Sequence, residues 1–270
     1  MKRLQTISII GCGWLGLPLA NYMIKQGWQV KGSTTNPKKL SKLGHQNIEP
    51  YLLKVTNNGL NISDSSIFES HIYYINIPPR RNLGEVINRY PLEIKYLIEP
   101  IPPQARVIFI SSTGVYPDLN QIQREELEPS PTKESGKAIL SAEKMIRSKF
   151  QNWIILRMAG LVGPNRDPGR WFSGKQNLPN GLNPINIIHL DDCLKLSYQI
   201  ITTDTLQNEL YNVCSDKHPT KNDFYIKQSE KIGVPLPQFN LEMGQHKIID
   251  NQKLKADLNY EFIFSDPILF

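Results

Sequence analysis

Short apolar runs alternate with segments whose apolar residues recur every three or four positions over the first 160 residues. "LQTISII" is a β-branched run and predicts a strand, and "GWLGLPLANYMIKQG" follows it with helical spacing. "WQVKGST" reads as a second strand, "PKKLSKLG" as a short helix, "NIEPYLLKV" as a third strand and "HIYYINI" as a fourth. The helical stretch "LGEVINRYPLEIKYLIEPI" leads to a fifth strand, "ARVIFIS". The amphipathic helix "TKESGKAILSAEKMIRSKF" then leads to a sixth, "WIILRMAG". Such alternation predicts a parallel sheet with helices on both faces. Beyond Gly160 the pattern loosens: "GPNRDPGRWFSGKQNLPNGLNP" predicts mostly loop. "INIIHLDDCLKLSYQIITT" reads as a strand and then a helix, with Asp191 or Asp192 as its cap. "ELYNVCS" is a further strand, and "NDFYIKQSEKIG" and "DNQKLKADLNYEF" read as helix and irregular structure.

The first strand ends in "GCGWLG", with glycines at Gly11, Gly13 and Gly16. In a strand–turn–helix context the first glycine permits the tight turn and the second admits a pyrophosphate. The third lets helix approach strand, and the helix N-terminus supplies N–H donors. The turn from Gly11 to Gly16, with Trp14 and Leu15 inside it, is therefore the candidate dinucleotide-binding segment. An NAD binder usually carries an acid at the end of the second strand to hold the ribose 2′-hydroxyl. Here that position falls at Thr34, in "KGSTTNPKK". Ser33, Thr34, Thr35, Asn36 and Lys38 or Lys39 offer hydroxyls, an amide and a cation to a 2′-phosphate, which favours NADP(H) over NAD(H). Pro37 at a first helical position makes the same segment a turn and helix start, and both readings hold together.

Composition narrows the class without deciding the chemistry. Hydrophobic content of 40% and charged content of 21% suit a globular protein. No apolar run is long enough to span a bilayer, and the N-terminus turns straight into a strand, so neither a membrane protein nor a secretory leader is expected. Three scattered cysteines, Cys12, Cys193 and Cys214, make a disulfide framework improbable and point to a reducing cytoplasm. The net charge of +6 is spread along the chain, which fits an anionic small-molecule ligand or a solvated surface. No basic-aromatic stripe suggests nucleic acid, and no cluster of His, Cys and carboxylates suggests a metal; His189 is expected to be a hydrogen-bonded structural histidine.

The glycine turn, "IFISSTGVYP", "ILRMAGLVGPNR", "NPINIIHLDD" and the ending "NQKLKADLNYEF" resemble the extended short-chain dehydrogenase/reductases, the NAD(P)-dependent epimerase/dehydratase family. The resemblance covers nearly the whole chain. It implies an α/β fold: a Rossmann-type doubly wound parallel sheet over residues 1–160, completed by about 185–214. A small, mostly C-terminal substrate lobe would comprise about 161–184 and 215–270. It places a catalytic serine at Ser112, beside Ser111 at the cofactor and Thr113 at the substrate. The family's partner motif, YxxxK, is broken. "SGKAILSAE" puts Ser135 at the Tyr position and Ile139 at the Lys position, and a shifted frame that keeps Lys137 puts Lys133 at the Tyr position. No tyrosine occurs between Tyr116 and Tyr198. That pattern is similar to the atypical members of the family, and "GCGWLG", "INIPPRR", "SSTGVYP" and "PNGLNPINIIHLDD" most resemble their YeeZ-like group.

Tyr116 is the candidate substitute acid, weighed against packing or substrate contact, and no cation to activate it is evident in the sequence. In "NIPPRR", Asn76, Ile77 and Pro78 are expected at the cofactor, with Arg80 and Arg81 either on an anion or in solvent. Arg166, Arg170 and Lys175 are candidates for a substrate phosphate or carboxylate, with Trp171 and Phe172 as an apolar wall, against the plainer reading of a packed loop. The resemblance also implies a homodimer through "EVINRYPLEIKYLI" and "AILSAEKMI", whose apolar faces equally suit a core. Two functions follow: an NADP(H)-dependent oxidoreductase or epimerase-like enzyme on an anionic or sugar-like metabolite, or a non-catalytic NADP(H)-binding sensor.

Overall fold

The computed structural model describes residues 5–80 and 84–270. In chain order its elements are β1 (Thr6–Ile10), α1 (Gly16–Lys25), β2 (Gln29–Thr34), α2 (Leu40–Gly44), β3 (Glu49–Thr56), β4 (Gly59–Ile62) and β5 (Ile72–Ile75). Then come α3 (Val86–Ile98), β6 (Arg106–Ser112), β7 (Gln121–Gln123), α4 (Glu134–Lys149), β8 (Asn152–Met158), β9 (Gly160–Val162) and β10 (Ile187–His189). The last are α5 (Leu190–Thr202), β11 (Glu209–Val213), α6 (Lys221–Lys231), β12 (Lys247–Ile249) and α7 (Gln252–Leu258). None of the described helices is long and apolar enough to cross a membrane.

Eight strands form one sheet in the order β11-β8-β6-β5-β1-β2-β3-β4. The pairs β1–β2, β2–β3, β1–β5 and β5–β6 are parallel, and β3–β4 is an antiparallel hairpin. Ile7, Ile9, Ile10, Tyr73, Tyr74, Ile75, Val107, Ile108 and Phe109 are fully buried. Burial on both faces explains why these strands read as unbroken apolar runs instead of alternating ones. The strand order reverses direction between β1 and β5, and ligands of such sheets sit outside the carboxyl ends of the strands at that switch.

Two compact units divide the chain: residues 1–115, 130–156 and 197–210, and residues 116–129, 157–196 and 211–270. The second contains two short parallel pairs, β9 with β10 and β7 with β12, which the sequence pattern did not predict. Its core gathers Val162, Ile185, Ile187 and Phe224. The predicted cap of α5 is corrected. Asp192 is fully buried and its carboxylate accepts from Ile263 N (2.7 Å), Phe264 N (3.0 Å) and Tyr260 Oη (2.9 Å), so it anchors the C-terminal segment. His189 caps in its place, its Nδ1 accepting from Asp191 N at 3.2 Å while its ring lies 4.1 Å from that of Phe264. Burial lowers the pKa of this imidazole.

Candidate functional site

The glycine turn is built by three different constraints. Gly11 has φ +105°, and a Cβ there would lie 2.5 Å from Asn76 O. A Cβ on Gly16 would lie 2.1 Å from Gly11 O, so the third glycine sets how closely α1 leaves the strand. A Cβ on Gly13 would meet nothing within 4 Å, which leaves open space beside the backbone. Ser33, at the end of β2, locks the turn: its Oγ accepts from Gly11 N at 2.9 Å and its carbonyl from Cys12 N at 2.8 Å. No side chain caps α1, whose first-turn donors are the kind of group that binds phosphate. The Cys12 thiol, pushed up to about 12 by burial, is a packing group and not a nucleophile. Replacing Ser33 with alanine leaves the Gly11 amide without its acceptor. The expected result, read by urea unfolding, is a loss of about 1 kcal/mol.

A groove of about 220 Å³ opens beside this turn. Gly11, Cys12 and Gly13 line it from one segment, Ser33, Thr34, Thr35 and Lys39 from a second, and Asn76, Ile77, Pro78 and Arg80 from a third. Leu53 and Val55 of β3 complete it, and no carboxylate is among the lining residues. Of the residues singled out in the sequence, Trp14, Leu15, Gly16, Asn36, Lys38 and Ser111 are not in the lining. Asn36 turns its Oδ1 to Lys38 N at 3.0 Å, capping the 3-10 turn Pro37–Lys39, and it is Lys39 that reaches the groove. Arg81 lies outside the described residues.

At the end of β6, Ser111 is buried and its hydroxyl donates to the buried carboxylate of Glu143 on α4. Ser112 stays partly exposed, its Oγ accepting from Gly114 N at 3.1 Å, and Thr113 is buried. A Cβ on Gly136 would come within 2.5 Å of Gly114 O, so the α4 backbone rests directly on this serine turn. Ser135 and Ile139, which stand where the family carries Tyr and Lys, are both buried in α4.

The expectation that Tyr116 lacks a neighbouring cation is corrected. Arg157 Nη1 donates to Tyr116 Oη at 2.7 Å, and its guanidinium carbon sits 4.8 Å from the ring centroid. Neither side chain reaches solvent to any extent: Tyr116 and Arg157 are each 2% exposed. The Tyr116 hydroxyl also contacts Asn212 Oδ1 (3.0 Å) and Arg124 O (3.2 Å), and burial raises its pKa, with Arg157 opposing. These surroundings suit a structural phenol and not a proton donor. An arginine inside the apolar run "IILRM" was the available signal of a buried network.

In the second unit, Arg166 and Arg170 are exposed, and Arg170 Nε lies 3.7 Å from Asp167. Phe172 packs edge-on against Tyr225 and Phe239, with Trp171 at the margin of that cluster. Among the described residues no three His, Cys, Asp or Glu side chains converge as a metal site.

The strand order, the glycine turn at the switch point and the serine turn after β6 define a Rossmann-type α/β fold. No family model matches the chain. It is 32% identical over 276 residues to Protein YeeZ of Escherichia coli (strain K12), with 98% of each chain covered. It is 22% identical over 241 residues to the chloroplast stem-loop binding protein of 41 kDa b of Arabidopsis thaliana, covering 84% of this chain and 63% of that protein. Among solved structures, a UDP-glucuronic acid 4-epimerase from Bacillus cereus in complex with NAD superposes with a TM-score of 0.78 at 18% identity. That match covers 98% of this chain and 94% of that one. The chain belongs to the family of Protein YeeZ, and its fold is the one that the extended short-chain dehydrogenase/reductases share.

Proposed function

We propose that the chain binds NADP(H) in the groove beside Gly13 and acts as an oxidoreductase or epimerase-like enzyme on an anionic or sugar-like metabolite. The observation that carries this reading is the ribose end of the groove, where Thr34, Thr35 and Lys39 stand with no carboxylate among the lining residues. An acid at that position would hold a ribose diol and repel a phosphate, whereas hydroxyls and a lysine accept one. Leu53 and Val55 supply apolar surface for a base, and open space at Gly13 admits a pyrophosphate. When bound, the nicotinamide supplies or takes a hydride, which leaves the chain to orient the substrate and manage one proton.

Ser112 is the assigned hydroxyl for that task, with Thr113 beside it, and Arg166 and Arg170 are assigned to an anionic substrate group. With Ser135 and Ile139 at the dyad positions, the proton passes through Ser112 or solvent instead of a lysine-activated phenol. Burial of those same two side chains favours a second reading, a sensor that binds NADP(H) without turnover. Calorimetric titration of nucleotide-free protein is the test of the cofactor. NADPH is expected to bind at least about tenfold more tightly than NADH, equivalent to about 1.4 kcal/mol, and preference for NADH overturns the reading. NADPH oxidation with carbonyl compounds reads the oxidoreductase, and product analysis of sugar substrates reads an epimerase, which leaves its cofactor unchanged over each cycle; tight binding with neither supports the sensor.

A further inference from the structure

We infer that Arg80 is the second cation for the phosphate monoester of NADP(H), and that Glu93 is the residue that positions it. The inference rests on the cofactor reading above and adds to it how the cationic wall is held.

Arg80 lines the same groove as Thr34, Thr35 and Lys39. Its backbone has φ +42°, a left-handed conformation uncommon outside glycine. Helix α3 imposes that conformation. Arg89 Nη2 donates to Pro79 O at 2.7 Å and to Arg80 O at 2.9 Å, and Tyr90 Oη donates to Ile77 O at 2.8 Å. The side chain is held as deliberately: Arg80 Nη2 donates to Glu93 Oε1 and also contacts Val55 O at 3.4 Å. The Val55 contact sets the guanidinium at the β3 wall of the groove, where the base is assigned.

The charges in this cluster do not balance. Glu93 is 1% exposed and offers one oxygen, Oε1, to two guanidiniums, that of Arg80 and that of Arg89 at 2.9 Å. Its other oxygen and Arg80 Nε are buried and have no hydrogen-bond partner among the described residues. Among the described residues two guanidiniums share this one carboxylate, which leaves a net positive charge beside the groove and guanidinium donor capacity unspent. A buried carboxylate with an orphaned oxygen costs stability, so the arrangement is a poor device for holding the fold alone. It is a good one for fixing a guanidinium fork in place before a dianionic phosphate arrives.

Titration calorimetry with NADPH and NADH on wild type, Arg80→Ala, Arg80→Lys and Glu93→Gln tests this. Arg80→Ala is expected to weaken NADPH about tenfold and NADH less than about twofold, because only NADPH presents the monoester. Arg80→Lys falls between, as a point charge without the planar fork. Glu93→Gln weakens NADPH several-fold with NADH unchanged, a selectivity that a merely structural role would not produce. Equal losses for both nucleotides in Arg80→Ala overturn the assignment of the monoester, placing Arg80 on a group common to the two. An undiminished NADPH preference in Glu93→Gln overturns the positioning role alone. Wild-type preference for NADH overturns the cofactor reading itself, and this inference with it. Should Glu93→Gln lose its cooperative unfolding transition, the two Arg80 variants carry the test.

Discussion

Gly16→Ala is expected to destabilise the fold by about 3 kcal/mol, at the upper end for overpacked sites, because the new Cβ would sit 2.1 Å from a backbone oxygen. Backbone cannot rotate away as a side-chain tip can, so α1 has to shift off β1. Gly13→Ala, three residues earlier, is expected to behave in the opposite way. Its Cβ meets nothing within 4 Å, and the backbone is not in the left-handed region, so unfolding stability stays the same or rises by up to about 1 kcal/mol. The methyl instead fills the space assigned to the pyrophosphate, and NADPH affinity falls at least about tenfold, or about 1.4 kcal/mol. Urea unfolding and calorimetry on the two variants separate fold from binding. Wild-type affinity in Gly13→Ala would remove the phosphate cradle from this turn.

The second large effect is expected away from the groove. Asp192→Ala takes the acceptor from two part-buried amides, Ile263 N and Phe264 N, and one of the acceptors from the Tyr260 hydroxyl. Hydrogen bonds to a charged group contribute about 1.5–3 kcal/mol each, so the expected loss is about 3 kcal/mol. Asp192→Asn keeps one acceptor oxygen and is expected to lose less. Urea unfolding measures both. A loss below about 1 kcal/mol in Asp192→Ala would mean that the C-terminal segment is held by its apolar contacts, such as Phe262, and not by this carboxylate.

The parallel sheet was legible because its strands are buried on both faces and so appear as apolar runs. The glycine turn was legible because its spacing is that of a strand–turn–helix junction, where Gly11 and Gly16 answer close backbone contacts and Gly13 leaves open space. The hairpin strand β4 was not: "GLNI" is short and only partly buried, and carries no period to read. Strands β7, β9 and β12, of three residues each, exist through pairing with distant partners, which local pattern does not encode, whereas β10 was read from "INIIHL" without its partner. The candidate site divides along the same line. Thr34 and Thr35 follow from their place after the second strand. The choice of Lys39 over Lys38 depends on the turn that Asn36 caps, and Glu93 on the packing of α3 against the segment after β5. Asp192 was misread for a related reason. A carboxylate at a helix start suits a cap, and only the later segment around Tyr260 reveals what it binds instead.

Arg106, the first residue of β6, is 7% exposed and spends its Nη2 donors on the carbonyls of Ile200 and Thr203, 94 and 97 positions further along. On the ribosome those carbonyls emerge about 5 to 20 seconds after the arginine, at about 5–20 residues per second. During that interval the guanidinium lacks the acceptors that replace its water in the folded chain. The sixth strand of a nascent chain therefore cannot consolidate before α5 is made. A chain cut short ahead of residue 200 lacks those acceptors for good, and is expected to unfold at lower urea concentration than the full chain.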